Sequence, residues 1–402
     1  MKRANKTMWH SSKFLFLLCL MMILPVSWLY AAPLSLQVSS LAQPIPAPIT
    51  DGNILVYELH LLNVDDKTLR VGLIEISDEN GNLLGNYSGK KLEENSFVYQ
   101  EGSKVDTKDI ELKKGMGAFV YIWIVQPKNA KLPKTLLHKI WIEERFVDKG
   151  LAIVEPIDYQ LEISKQTPVV LEYPLRGANW VAAGAPAISS YHRRTILPIE
   201  GKFYLAQRYA VDWVQVCANG NSAIGDIRNN ENWVSFSHEV LAVDNGIVSL
   251  VNDGMKENSP PEMPTSHLTL SEIPGNYVIL KINQNAKDFY VLYAHMQPGS
   301  IRVKKGDKVK SGQVIGLLGN TGNSSAPHLH LHVSDANDPL RSEGIPFIFK
   351  EVTLLGTIEE IDGDYGIWSS LPLQSKSQSK NVMPSMNQVF NFTSVPAAKC
   401  PQ

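Results

Sequence analysis

Leu318-Gly319-Asn320-Thr321-Gly322-Asn323-Ser324-Ser325-Ala326-Pro327-His328-Leu329-His330-Leu331-His332 is the stretch on which the reading of this chain turns. A Gly/Asn/Ser turn delivers the chain into a segment where histidine alternates with leucine. In an extended strand, alternate side chains point to one face. His328, His330 and His332 would then share a face while the leucines fill a core. The chain has 10 histidines, so three within five residues is a concentration. Imidazoles grouped in this way suit metal binding or proton transfer.

The rest of the chain is strand-like too. From residue 53 to about 165, runs rich in β-branched and aromatic residues (Ile54 to Leu62, Arg70 to Ile76, Gly117 to Val125, Leu136 to Ile142) alternate with turn signals such as Asp78-Glu79-Asn80-Gly81. Short strands at this spacing predict an immunoglobulin-like β-sandwich over 33–165, with a Pro- and Ser-rich linker at 33–50. It holds no cluster of chemistry-bearing residues and reads as a spacer or a docking module for an envelope protein. Residues 166–195 read as a connector. A second β-rich region covers 196–350, with strands that include Lys202–Val216, Val240–Asn252, Asn276–Ile282, Phe289–His295 and His328–Val333. No helix of convincing length is predicted, so the fold class is all-β. Residues 351–402 form an extension, rich in Ser, Gln, Lys and Asn after about 370 and expected to be largely disordered there.

With 402 residues and 44% apolar content, the chain is long enough for two domains with real cores. A net charge of -2 gives no bulk attraction for nucleic acid. Three cysteines without a CxxC pair exclude a cysteine zinc site. Lys2, Arg3, Lys6 and Lys13 precede the apolar run Phe14 to Leu24, then Pro25 and Ala31-Ala32. That is the order of a secretory signal over 1–32, with an uncleaved anchor as the alternative. The expected location is the periplasm, the cell envelope or the medium, with no stable membrane span in the mature form. Export would permit a Cys217–Cys400 bridge.

Asp212 lies in Gln-Arg-Tyr-Ala-Val-Asp-Trp, a carboxylate in an apolar strand that needs a partner or a metal. His295 ends the strand Tyr-Ala-His-Met. Gly306-Asp307 and Gly312 make turns that lead towards the histidine strand. One carboxylate and several imidazoles can divide into metal ligands and proton-handling groups.

Over residues 196–350 these motifs resemble the lysostaphin-like zinc metallopeptidases, a family of exported peptidoglycan endopeptidases on a small antiparallel β fold. Pro327-His328-Leu329-His330 after Asn320-Thr321-Gly322-Asn323 matches the closing His-x-His element. Tyr293-Ala294-His295 matches the Tyr-x-His strand, Gly275-Asn276-Tyr277-Val278 the strand before it, and Ala242 to Val248 the Ala-x-x-x-Gly-x-Val hairpin. The resemblance implies one zinc ion, with Asp212 and His330 as ligands. It gives His295 and His328 the tasks of orienting or deprotonating water and stabilising the oxyanion. Peptide stems or cross-bridges of peptidoglycan would be the substrate.

One position departs from the family. Its first ligand is a His four residues before the Asp, and Arg208 stands there. A guanidinium offers no lone pair to a metal. If Arg208 shares a strand face with Asp212, an ion pair could replace the metal and leave a degenerate, peptidoglycan-binding or hydrolase-activating module. Otherwise His192, in Tyr191-His192-Arg193-Arg194, folds back as the missing ligand, or His332 serves. His60 and His138 are further imidazoles that an inhibitory N-terminal region could insert into a cleft. The paired turns near 306–316 also suit a lipoyl-type carrier hairpin with Lys304, Lys305, Lys308 or Lys310 at its tip, a reading that export disfavours.

Overall fold

The computed structural model describes residues 36–106, 109–146, 150–153, 156–264, 267–362, 366–371, 377–393 and 400. The expected signal segment lies outside them. Among the described residues, strands dominate, and the one α-helix is Gly89–Glu94. No helix there is long and apolar enough to cross a membrane.

Two six-stranded sheets occupy the N-terminal part. One runs Leu36–Ser40, Gly52–Asn63, Gly117–Pro127, Ser96–Gln100 and Ser103–Lys104, with Ala47–Ile49 alongside. The other runs Gly150–Ile153, Thr135–Phe146, Leu69–Asp78 and Leu83–Ser88, with Glu111–Leu112 and Ile157–Glu162 attached. Leu36–Ser40 and Ala47–Ile49 are therefore paired strands rather than linker. The sheets share a core in which Leu55, Tyr57, Leu59 and Leu61 meet Val71, Ile74, Ile76 and Ile140. The alternate residues of the same strand, Ile54, Val56 and Glu58, are also buried. Ile54 and Val56 pack on Tyr209, Ile348 and Met383. This strand thus has no solvated face, which explains its near-continuous apolar run.

The remainder is built on a twelve-stranded sheet. Its order is Val169–Leu171, Phe347–Thr357, Gln388–Asn391, Trp180–Ala183, Val211–Gln215, Leu329–Ser334, Lys287–Met296, Asn276–Gln284, Gly246–Asn252 and Lys308–Val309, with Gly344–Ile345 and Ser377–Val382 attached. Two expectations are corrected here. The 166–195 connector supplies two strands of this sheet, and Trp180–Ala183 sits between Gln388–Asn391 and Val211–Gln215. The described residues after 370 include ordered strands: Ser377–Val382 pairs with Phe347–Thr357, and Val389, Phe390 and Phe392 are buried. Their burial outweighs the polar composition around them. Cys400 is joined to Cys217, closing a separation of 183 residues. Leu36–Gln402 forms one compact unit.

Leu329, Leu331 and Val333 face a core with Trp180, Trp213, Phe347, Phe349 and Phe390. The opposite face carries the polar residues, as the period of two requires. The predicted Lys202–Val216 strand is interrupted: strand Lys202–Tyr204 ends, a turn follows, and strand Val211–Gln215 begins. Arg208 lies in that turn and not on the strand of Asp212.

Candidate metal centre

Four neighbouring strands set the centre. Asp212 stands directly opposite His330, which also stands opposite Ala294, the residue before His295. Ala183, opposite Asp212 on the other side, leads into Gly184 and the turn that carries His192. Gly184 has φ +57, and a Cβ there would lie 2.4 Å from the Tyr191 hydroxyl and 3.0 Å from the His192 ring. Only glycine fits both the conformation and the space. Its carbonyl accepts hydrogen bonds from His192 Nδ1–H at 2.9 Å and from the Ser190 hydroxyl at 2.6 Å.

That bond decides which nitrogen of His192 faces the cleft. With the proton on Nδ1, the Nε2 lone pair points at Asp212 Oδ2, 3.2 Å away. His330 Nδ1 lies 2.9 Å from Asp212 Oδ1. Ligand atoms of His192, Asp212 and His330 all fall within 4.8 Å of one another, and the three residues are buried. Two imidazole nitrogens and a carboxylate oxygen turned towards one point suit a cation. The residues present fit a tetrahedral zinc site with one position left for substrate or water.

His332 lies behind this group. Its Nδ1 is 2.9 Å from His330 Nε2, while its own Nε2 is buried without a hydrogen-bond partner. It therefore orients His330 rather than joining the three converging groups. His295 Nδ1–H donates to the Thr321 carbonyl at 2.6 Å, and His328 Nδ1–H to the Ala326 carbonyl at 2.9 Å. Both remaining nitrogens belong to rings that line a cleft of about 430 Å³, as do His192, Asp212 and His330. His295 is held at φ +63, a conformation costly for a residue other than glycine and concentrated at functional sites. Tyr191, which the sequence reading passed over beside His192, donates its hydroxyl to Asp212 Oδ2 at 2.6 Å.

Burial works against the charge on Asp212, yet His192 and His328, when protonated, hold its carboxyl well below the usual range. Burial, with the positive potential of His328 and His330, pushes His295 well below an ordinary imidazole. Burial also opposes charge on His328, but Asp212, 3.4 Å from its Nε2, more than offsets this and raises it. The site thus places a neutral imidazole beside one that favours its proton.

The Arg208–Asp212 pair does not form. Arg208 Nε donates to Glu58 Oε2 at 2.9 Å, and its Nη2 to Glu343 at 2.7 Å. His60 and His138 are also engaged elsewhere, with Tyr99 and Tyr57 respectively. Glu58 was a signal overlooked in the sequence, a carboxylate inside Leu-Val-Tyr-Glu-Leu.

The turn before His328 is gripped from the 253–264 segment. Asn258 Nδ2 donates to the Gly322 and Ser324 carbonyls, each at 2.8 Å, and Glu257 Oε2 accepts from Asn320 N–H at 2.6 Å. Burial raises the Glu257 carboxyl to about 7. Between pH 4.5 and 7 the folded chain then holds a proton that the unfolded chain has lost. Stability should fall as pH rises through that window. Glu257→Gln keeps an acceptor for Asn320 and should flatten the fall, by at most about 2 kcal/mol given the partial exposure of the group. Chemical denaturation at pH 5 and pH 8 checks this, and parallel losses in both proteins would contradict it.

Residues 234–342, which contain His295, His328 and His330, match peptidase family M23. The chain carries a peptidase family M23 domain. The matched span begins after His192 and Asp212. Among curated proteins, the chain is similar to the peptidoglycan DD-endopeptidase ShyA of Vibrio cholerae serotype O1, with 41% identity over 68 residues, 17% of this chain and 15% of that protein. It is similar to lysostaphin of Staphylococcus simulans, with 41% identity over 56 residues, 13% of this chain and 11% of that one. Its alignment thus spans well under a fifth of the length of either relative. The catalytic domain of the Staphylococcus simulans lysostaphin aligns over 43% of this chain and 86% of its own, at 21% identity and a TM-score of 0.22.

Proposed function

We propose that the chain is an exported zinc metalloendopeptidase that hydrolyses peptide bonds of peptidoglycan. The observation that carries this is the convergence of His192 Nε2, the Asp212 carboxylate and His330 Nδ1 in the cleft of a chain with an M23 domain. The relatives named peptidoglycan DD-endopeptidase and lysostaphin supply the substrate class.

His192, Asp212 and His330 would hold the zinc. Bound there, zinc supplies a Lewis acid that polarises a peptide carbonyl and lowers the pKa of water to about 7. His295, neutral at pH 7, accepts the proton of the attacking water and returns it to the leaving amine. His328, inclined to keep its proton, donates a hydrogen bond to the charge that builds on the carbonyl oxygen. His332 and the Gly184 carbonyl hold two of the ligand rings in place. The Cys217–Cys400 bridge supports an oxidising, extracytoplasmic location. The degenerate reading relied on Arg208 capping Asp212, and Arg208 is committed to Glu58 and Glu343 instead.

The test is zinc content by plasma mass spectrometry, together with chromatography of muropeptides released from purified peptidoglycan. The expected result is one zinc per chain, with cleavage of stem or bridge peptides that a chelator stops and added zinc restores. His330→Ala should lose both. Zinc without cleavage of any peptidoglycan would retain the metal centre and sink the substrate assignment.

A further inference from the structure

His192, Arg193 and Arg194 form one short 3₁₀ turn, and the three side chains leave it in different directions. His192 reaches Asp212. Arg193 is fully buried against the first N-terminal sheet, where Nη2 donates to the Ile122 carbonyl at 2.6 Å and Nε lies 3.9 Å from Glu58 Oε1. Its guanidinium sits 5.6 Å from the rings of both Tyr121 and Trp123. Arg194 donates to the Glu94 carbonyl at 2.8 Å and to Asn95 Oδ1 at 3.1 Å. Glu58, wholly buried, also takes Arg208 at 2.8 to 2.9 Å.

We infer that the N-terminal sheets are a working part of the metal centre and that Glu58 is a positioning residue for His192. Glu58 is the carboxylate that faces both buried guanidiniums, and Arg208 has Glu343 as a second partner. Arg193 directly follows the candidate ligand, and Arg208 fixes the turn that leads into the strand of Asp212. A buried arginine without a counter-charge is strongly unfavourable, so its segment moves to find water or another partner. Any shift of Arg193 moves His192, whose ring otherwise meets the Gly184 carbonyl and the Asp212 carboxylate. In this arrangement His192 depends on contacts made more than 70 residues earlier in the chain. Groups that orient a ligand commonly control metal affinity by tenfold to a hundredfold.

This inference adopts the proposed zinc ligand His192, so its test includes a readout without metal. The full-length chain is compared with Glu58→Gln, Arg194→Ala and Leu69→Ala. Leu69→Ala is a destabilising control in the same sheets, since Leu69 is buried in their shared core and pairs with Leu112 and Glu144. Zinc affinity is measured by competition with a chromophoric chelator. The His192 tautomer in the zinc-free protein is read from long-range proton–nitrogen spectra of the imidazoles.

Glu58→Gln should weaken zinc binding at least tenfold and turn the fixed Nδ1–H form of His192 into an averaged one. Leu69→Ala should change neither. If Glu58→Gln yields no folded protein, Arg194→Ala carries the test, with the same signature and a smaller loss of affinity. If the wild type takes up no zinc, the hydrolase reading fails, and the His192 spectrum alone decides the positioning role. Unchanged affinity and an unchanged His192 tautomer in Glu58→Gln would overturn the inference. An equal loss of affinity in Leu69→Ala would also overturn it, because general loosening would then explain the effect.

Discussion

His192→Ala is expected to leave a folded protein that retains no zinc through dialysis and cleaves peptidoglycan at least about a thousandfold more slowly. The side chain contributes one of three converging ligand atoms: His332 is turned to His330, His295 is bonded to Thr321, and His328, though 3.4 Å from Asp212, is not among the three. The thermal midpoint of the zinc-free protein should change little. Removing the ring also removes a lone pair that faces a carboxylate oxygen at 3.2 Å, an arrangement unfavourable without a cation or a proton between them. The paired measurement is zinc per chain and muropeptide release for wild type and variant. Full zinc content in His192→Ala would place the third ligand elsewhere and remove the main support for the centre described here.

A chain ending at Leu371 should fail to fold. It would lose Val382, Met383, Val389, Phe390 and Phe392, all buried, and with them the strand that pairs with Trp180–Ala183. Truncating one buried aromatic typically costs about 3–5 kcal/mol. Losing several such groups exceeds the net stability of about 5–15 kcal/mol usual for a domain. Cys400→Ser separates the two contributions of the tail. It removes only the link to Cys217 and should cost about 2–4 kcal/mol with the fold intact. Circular dichroism and limited proteolysis check both. A cooperative melt of the truncated chain within a few degrees of full length would contradict the assignment of these strands to the core.

What could be read from the sequence was local. The alternation of His328 to His332 places the leucines inward and His330 and His332 outward without knowledge of the partner strands. Tyr293-Ala294-His295 was legible for the same reason. The role of His192 stayed open between alternatives because a turn at Gly184, not a periodic pattern, brings it to Asp212. Arg208 misled because its partner Glu58 lies 150 residues away and no local signal links them. The tail misled through composition. Ser377–Val382 is an edge strand whose side chains are mostly exposed, so a polar sequence costs nothing there. The apolar content that anchors it is compressed into Val389-Phe390-Asn391-Phe392, too short to register as a strand.

The placement of Gln388–Asn391 beside Trp180–Ala183 has a temporal consequence. Asn179 N–H donates to Asn391 Oδ1 across 212 residues, and Ala183 is the register neighbour of Asp212. A chain emerging N-terminus first therefore carries every residue of the candidate centre well before the sheet around it can close. Pairings of such long range form late and slowly. The interval between release of His330 and arrival of Asn391 is then a latent period in which the candidate centre is already present as sequence but not yet assembled as structure.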